Sequence, residues 1–229
     1  MILITGASTG IGAATARRAT EAGWRVVLGA RSEDKLAALA ADLGGDEVAL
    51  ARRCDVTELA DQEALVAAAD EAFGRLDAVF ANAGFGAKRG FLEESEEHWR
   101  EMVLTNVLGP ALTIRASLPR LLEADAGHIL LTSSVAGRRA LPGSLYSATK
   151  WAVTGMAESL RQELRQMHEN SSVRVTMIAP GMVDTPFFDD RPENALTDDD
   201  IADAALYALT RPDRVDINEI LLRPASQPI

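Results

Sequence analysis

The chain has 229 residues, 47% of them hydrophobic and 25% charged, the make-up of one globular unit able to bury a sizeable core. A net charge of −11 argues against nucleic acid as the main partner, because phosphate backbones need a basic face, yet a few backbone amides and one arginine can hold a phosphorylated cofactor against that overall sign. Cys54 is the only cysteine, so no intrachain disulfide forms, and the lack of a basic leader or a membrane-length apolar run leads us to expect a soluble, cytoplasmic protein.

Strand and helix patterns alternate along the chain. Residues 2–4 read as an apolar strand and 11–21 as an Ala-rich helix. A second strand covers 25–29 and a second helix 33–42. The third strand, 47–52, ends at Cys54-Asp55, and Thr57 is the expected N-cap of a helix running to Phe73. Residues 78–80 make the fourth strand, followed by Asn82-Ala83-Gly84. Two helical stretches fill 96–120, with Gly109-Pro110 near their middle. The fifth strand is 128–132. A long helix spans 144–168, with Trp151, Met156, Leu160, Leu164 and Met167 on one side at a period near 3.6. The sixth strand is 173–178, a further helix covers 197–209, and the last strand is 217–222. Apolar strands alternating with helices imply a parallel sheet covered on both faces. The expected fold is therefore α/β: a single-domain doubly wound sheet (a Rossmann fold) over residues 1–229, with strand order 3-2-1-4-5-6-7.

The first strand runs into Thr5-Gly6-Ala7-Ser8-Thr9-Gly10-Ile11-Gly12. Gly6, Gly10 and Gly12 suit a dinucleotide turn: one allows the tight turn, one lets backbone approach a pyrophosphate, and one lets helix pack on sheet. The helix start offers N–H groups to the phosphates. The second strand ends Gly29-Ala30-Arg31-Ser32, with no acid to take a ribose 2′-hydroxyl. Arg31 can grip a 2′-phosphate through its planar fork, which favours NADP(H); otherwise it is a plain surface residue. Asp55, with Val56 beside it, takes the adenine amino group or forms a local turn before Thr57. Tyr146 and Lys150 lie four apart on one helix face. A neighbouring ammonium favours the phenolate and lowers the tyrosine pKa from its ordinary value of about 10, so Tyr146 suits a general acid in reduction and a base in oxidation. His98, His128 and His168 lack ligand spacing, and no metal site is expected.

With these motifs in this order the chain resembles the short-chain dehydrogenases/reductases from end to end. Asn106, Ser134, Tyr146 and Lys150 fall where that family's catalytic tetrad falls. The segment Thr5–Gly12, with Gly6, Ser8, Thr9, Gly10, Ile11 and Gly12, is similar to its cofactor turn. Asn82-Ala83-Gly84 is similar to its segment after strand four, and Pro180-Gly181 with Val183 and Thr185 to the stretch that meets the nicotinamide. The ending Asn218-Glu219-Ile220-Leu221-Leu222-Arg223-Pro224 is similar to the subgroup of NADP-dependent 3-hydroxy acid and serine dehydrogenases. The resemblance implies that Lys150 also binds the nicotinamide ribose and that Asn106 holds a water linking Lys150 to solvent; by its residue type alone Asn106 equally fits a polar kink in a long helix. It further implies homodimers or homotetramers paired through the helices at 106–121 and 147–167. The family's spacing places the serine at Ser133. Alignment of the strand end with Val135-Ala136-Gly137 selects Ser134, and because a strand alternates its faces only one of the two can meet substrate. Ser134 would polarise the substrate oxygen.

The expected function is NADP(H)-dependent interconversion of a carbonyl and a secondary alcohol, with a non-catalytic NADP(H)-binding sensor or scaffold as the alternative. The expected substrate walls are Phe85, Gly86, Ala136, Leu141, Met182, Phe187 and Phe188, under a lid at 186–196. Arg89, Arg138 and Arg139 lie in adjacent loops, where they either meet an acid substrate or face water.

Overall fold

A computed structural model describes residues 1–168, 171–187 and 192–227. Phe188 and residues 189–191 of the expected lid lie outside the described residues. The elements in chain order are β1 (Ile2–Thr5), α1 (Gly10–Glu21), β2 (Val26–Ala30), α2 (Glu33–Asp42), β3 (Ala49–Arg53), α3 (Leu59–Phe73), β4 (Ala78–Ala81), α4 (Glu96–Val103), α5 (Gly109–Glu123), β5 (Gly127–Thr132), α6 (Leu145–Gln166), β6 (Val173–Pro180), β7 (Val183–Asp184), β8 (Leu196–Thr197), α7 (Asp198–Leu209) and β9 (Glu219–Leu222).

Seven strands form one parallel sheet in the order β3-β2-β1-β4-β5-β6-β9. This is the expected order, with β9 as its seventh strand. The alternation of side chains along each strand explains the two cores. Leu3, Val27, Val79, Ile129 and Val175 point to one face, which α3, α5 and α6 cover through Leu65, Leu121, Val153 and Leu160. Ile2, Ile4, Val26, Leu28 and Phe80 point to the other, covered by α1, α2 and α7 through Ala16, Leu36 and Ile201. Both faces are dry, which is why the strands read as continuous apolar runs.

From β1 the chain winds outward to β2 and β3 on one side, then crosses back through α3 to β4 on the other side of β1. The crevice beyond these strand ends is the topological switch point where an open α/β sheet places its ligand.

Local differences from the sequence reading have local causes. Thr57 is not the cap of α3. The cap position is Glu58, without a side-chain bond, because both Thr57 N–H and its hydroxyl donate to Asp55 Oδ1, at 3.0 and 2.8 Å. β3 begins at Ala49 rather than Glu47, since Val48 and Ala49 are tied back to Gly45 O. β7 and β8 form a separate two-stranded parallel ribbon that sequence periodicity does not announce. It leads into α7, whose start is a capping box: Asp200 N–H donates to Thr197 Oγ1 at 3.2 Å and Thr197 N–H to Asp200 Oδ2 at 2.8 Å. Between α4 and α5 the helix continues through a π-helical turn, Leu104–Leu108. Among the described residues, no helix is long and apolar enough to cross a membrane.

Candidate active site

A cleft of about 530 Å³ opens at the C-terminal strand ends around β1, β4, β5 and β6. At its floor the turn after β1 has little freedom. Gly6 and Gly10 have φ of +65° and +52°, which favour glycine. A Cβ on Gly6 would lie 2.8 Å from Ala83 Cα, and one on Gly12 would strike the carbonyl of Gly6 and come within 2.9 Å of Asn82 Nδ2. Glycine at these positions thus lets α1 pack on the sheet and lets the turns after β1 and β4 touch. Thr9, at the start of α1, makes no side-chain cap and no acid lies in the first turn, so the first N–H groups of α1 suit an anion.

Asn82 ties three strand ends together. Its N–H donates to Thr5 Oγ1 at 3.1 Å, its Nδ2 to Thr5 O at 3.3 Å, and its Oδ1 accepts from Thr132 Oγ1 at 3.0 Å. At the far end of the cleft Arg31 is exposed beside Ala30. Burial raises the pKa of the nearby Asp55, but the bonds from Thr57, together with Arg31 and Arg53, outweigh it and hold the carboxyl below its usual range. Asp55 therefore takes the local-turn geometry while still lining the cleft.

α6 carries Tyr146 and Lys150 on the face toward β5. Ser144 caps the helix by accepting from Ser147 N–H at 3.1 Å, so the tyrosine enters in the first turn. Lys150 is buried, and its Nζ donates to Thr132 O at 2.9 Å and lies 5.6 Å from the centre of the Tyr146 ring. Burial lowers the Lys150 ammonium to about 8. Burial also pushes the Tyr146 phenol up to about 12, against a hydrogen bond with Ser134 that lowers it. The expected depression of the phenol by Lys150 is not seen: enclosure dominates, and the Ser134 bond is what opposes it.

The two serines after β5 diverge. Ser134 Oγ accepts from Ala136 N–H at 3.1 Å and donates to Pro180 O at 3.3 Å, on the cleft side. Ser133 Oγ donates to Lys150 O at 3.0 Å and sits 3.1 Å from Thr154 Oγ1, inside the core. Asn106 is buried in the π-helical turn. Its Oδ1 accepts from Phe85 N–H at 3.0 Å, and its Nδ2 donates to Phe85 O at 2.9 Å and to Thr149 Oγ1 at 3.1 Å. It pins the loop after β4 to α6.

Of the expected site residues, Gly6, Ser8, Thr9, Gly10, Ile11, Arg31, Asp55, Val56, Asn82, Ala83, Gly84, Ser134, Tyr146, Lys150, Pro180, Gly181, Val183 and Thr185 all line this cleft. Gly12 and Asn106 stand behind the lining. Phe85, Gly86, Ala136, Leu141, Met182 and Phe187 line it as the expected walls. The Phe187 ring meets Tyr146 edge-on at 5.6 Å, and a Cβ at Gly86 would lie 2.7 Å from that ring. Arg89 reaches the cleft. Arg138 does not: it forms a two-pronged ion pair with Glu219, one arm at 2.8 Å. Gln227, which no motif marks, also lines the cleft.

The short chain dehydrogenase family model matches residues 1–195. An uncharacterized oxidoreductase of Listeria monocytogenes is 37% identical over 243 residues, covering 100% of this chain and 97% of its own. Among solved structures, an alcohol dehydrogenase from the archaeon Thermococcus sibiricus, complexed with 5-hydroxy-NADP, is 34% identical with a TM-score of 0.89, covering 100% of this chain and 98% of that one. Serine dehydrogenase from Escherichia coli is 31% identical with a TM-score of 0.89, over 100% and 99% of the two chains. The family model covers most of the chain and these relatives span all of it: the chain belongs to the short-chain dehydrogenase family of oxidoreductases.

Proposed function

We propose that the protein interconverts a carbonyl and a secondary alcohol using NADP(H). The observation that carries this reading is the meeting of Tyr146, Ser134 and Lys150 in one cleft with a glycine turn fit for a pyrophosphate. The residues suit the cofactor. Gly6 and Gly10 leave backbone open at the start of α1, where the phosphates would bind, and Arg31 would take the 2′-phosphate. Lys150 would hold the nicotinamide ribose, and Pro180, Gly181, Val183 and Thr185 the nicotinamide end. When bound, the cofactor supplies or accepts the hydride.

The protein's own work is proton transfer and orientation. In reduction Tyr146 Oη gives a proton to the carbonyl oxygen as the carbon gains the hydride; in oxidation it takes the proton back. A phenol near 12 is a poor base, so positive charge from Lys150 and from the oxidised nicotinamide is required to bring it into range. With substrate present Ser134 turns its one hydroxyl proton from Pro180 O to the reacting oxygen and fixes its position. Asn106 keeps the loop after β4 and α6 in register and, in this reading, holds the water that connects Lys150 to solvent.

A panel of carbonyls and alcohols followed by NADPH absorbance tests the reading. Turnover is expected for the wild type. In Tyr146→Phe turnover is expected to fall by about a hundredfold or more with cofactor binding retained. Bound cofactor without turnover across a broad panel would instead favour the sensor reading.

A further inference from the structure

The turn that follows β9 reaches back over the end of β6. Gln227 N–H donates to Pro224 O at 3.0 Å, closing the turn. This sets the Gln227 carboxamide against the loop after β6, where Oε1 accepts from Met182 N–H at 2.9 Å. On the same loop Gly181 N–H donates to Leu222 O at 2.7 Å. A Cβ at Gly181 would strike Gln227 Oε1 and lie 2.6 Å from Arg223 Cβ, so only glycine lets the two segments close together. Ser134 Oγ holds Pro180 O from the other side. Residues 180–182 are thus gripped between Ser134 and Gln227.

The carboxamide has two ends with opposite chemistry. Its oxygen is engaged by an N–H group, which leaves Nε2 as the free end. Nε2 has no hydrogen-bond partner among the described residues, and the side chain lines, beside Met182, the cleft whose other walls include the apolar Leu141 and Phe187.

We propose that Gln227 is a specificity-determining residue: its Nε2 donates to a second oxygen on the substrate, in addition to the reacting one. The favoured substrates are therefore carbonyls, and the matching alcohols, that carry a further hydroxyl, carbonyl or carboxylate oxygen. A donor set among apolar walls selects strongly against a ligand without an acceptor, since binding then strips the donor of water and returns nothing. The inference rests on the carbonyl–alcohol reading above.

The test uses near-isosteric pairs that differ in one acceptor-only oxygen, which the carboxylate of a Glu variant cannot bond: methoxyacetone against 2-pentanone, and 4-methoxy-2-butanone against 2-hexanone. Each is reduced with NADPH by the wild type, Gln227→Glu and Gln227→Leu. Glutamate keeps an oxygen for Met182 N–H and removes the donor; leucine removes both. The ratio of kcat/KM for the oxygenated ketone over its plain partner is expected to fall about tenfold or more in both variants in at least one pair. Taking the ratio within each variant cancels any general loss from a disturbed loop. A wild-type ratio retained in both variants overturns the proposal. So does a ratio that changes only in Gln227→Leu, because the Oε1–Met182 contact alone would then be responsible. A wild type that reduces neither these ketones nor any carbonyl of a broad panel overturns the carbonyl–alcohol reading, and this inference with it.

Discussion

Ser133 and Ser134, adjacent in the chain, act on opposite sides of the same strand end: Ser133 Oγ bonds the Lys150 carbonyl inside the core, and Ser134 Oγ bonds the Pro180 carbonyl beside Tyr146. This divergence separates two kinds of defect. Ser134→Ala is expected to reduce kcat by about a hundredfold or more, as for loss of a donor to the reacting oxygen, and it too leaves two groups, Ala136 N–H and Pro180 O, without their side-chain partner. Ser133→Ala should retain most of the turnover and lose about 1–3 kcal/mol of stability, because it leaves buried groups unpaired. Steady-state kinetics and urea unfolding on both variants measure this. The reverse order of kinetic defects would assign the catalytic role to Ser133.

Lys150 should make stability depend on pH in a defined window. Burial lowers its pKa from 10.5 to about 8 in the folded state. Below about 8 both states hold the proton, and the folded state bears the full cost of an enclosed ammonium. Between about 8 and 10.5 the unfolded chain still binds the proton that the folded chain has released, so this residue's contribution to stability rises with pH. The stability of the wild type relative to Lys150→Met is therefore expected to climb from pH 7 to pH 10, by about 3 kcal/mol at most. Tyr146, held near 12, acts only above pH 10, where it has the opposite sign. A flat difference between the two proteins across this range would show that Lys150 keeps its ordinary proton affinity.

The sheet order and the glycine turn after β1 were legible because each rests on a short-range signal: apolar runs of strand length, and glycines where a turn or a close approach demands them. Tyr146 and Lys150 were legible for a similar reason, since helical geometry alone puts them on one face. Other features depend on contacts distant in sequence. The π-helical turn that buries Asn106 inserts one residue into a helix, which apolar periodicity does not register. The β7–β8 ribbon has strands of two residues, too short to show a period. Arg138 is held outside the cleft lining by Glu219 on β9, and Gln227 is carried into the cleft by a turn lying beyond the last strand. Thr57 shows a competition: a threonine before a helix suggests a cap, but Asp55 two residues earlier takes both of its donors.

Assembly is the next expectation. Leu104 and Leu108 in the π-helical turn and Trp151 on α6 are apolar yet exposed. Farther along α5 and α6, a hollow is lined by Ile114, Leu118 and Leu122 together with Glu163. Apolar surface of this kind on neighbouring helices suits a symmetric contact between copies. Static light scattering at micromolar concentration is expected to show a dimer or tetramer, and Trp151→Glu should shift it toward a smaller species. A wild-type monomer under these conditions would reject the expectation.

Cofactor choice should follow from Ala30 and Arg31. Ala30 ends β2 where a carboxylate would bind a free ribose diol, and Arg31 follows it at the rim of the cleft. Arg31 forms no hydrogen bond or ion pair among the described residues, although it is close enough to Asp55 to help lower that carboxyl. Its guanidinium is thus available to a 2′-phosphate, which it would bind through a pair of charge-assisted hydrogen bonds. Such a contact is worth about 1.5–3 kcal/mol, or one to two decades in affinity. NADPH is therefore expected to bind more tightly than NADH. Arg31→Ala should weaken NADPH by about that factor and leave NADH nearly unchanged. Ala30→Asp should turn the preference toward NADH, because a carboxylate repels the phosphate and accepts from the diol. Titration of both cofactors against the three proteins measures all of this. Equal wild-type affinities, unaffected by Arg31→Ala, would mean that the guanidinium serves solvent and Asp55 rather than the phosphate.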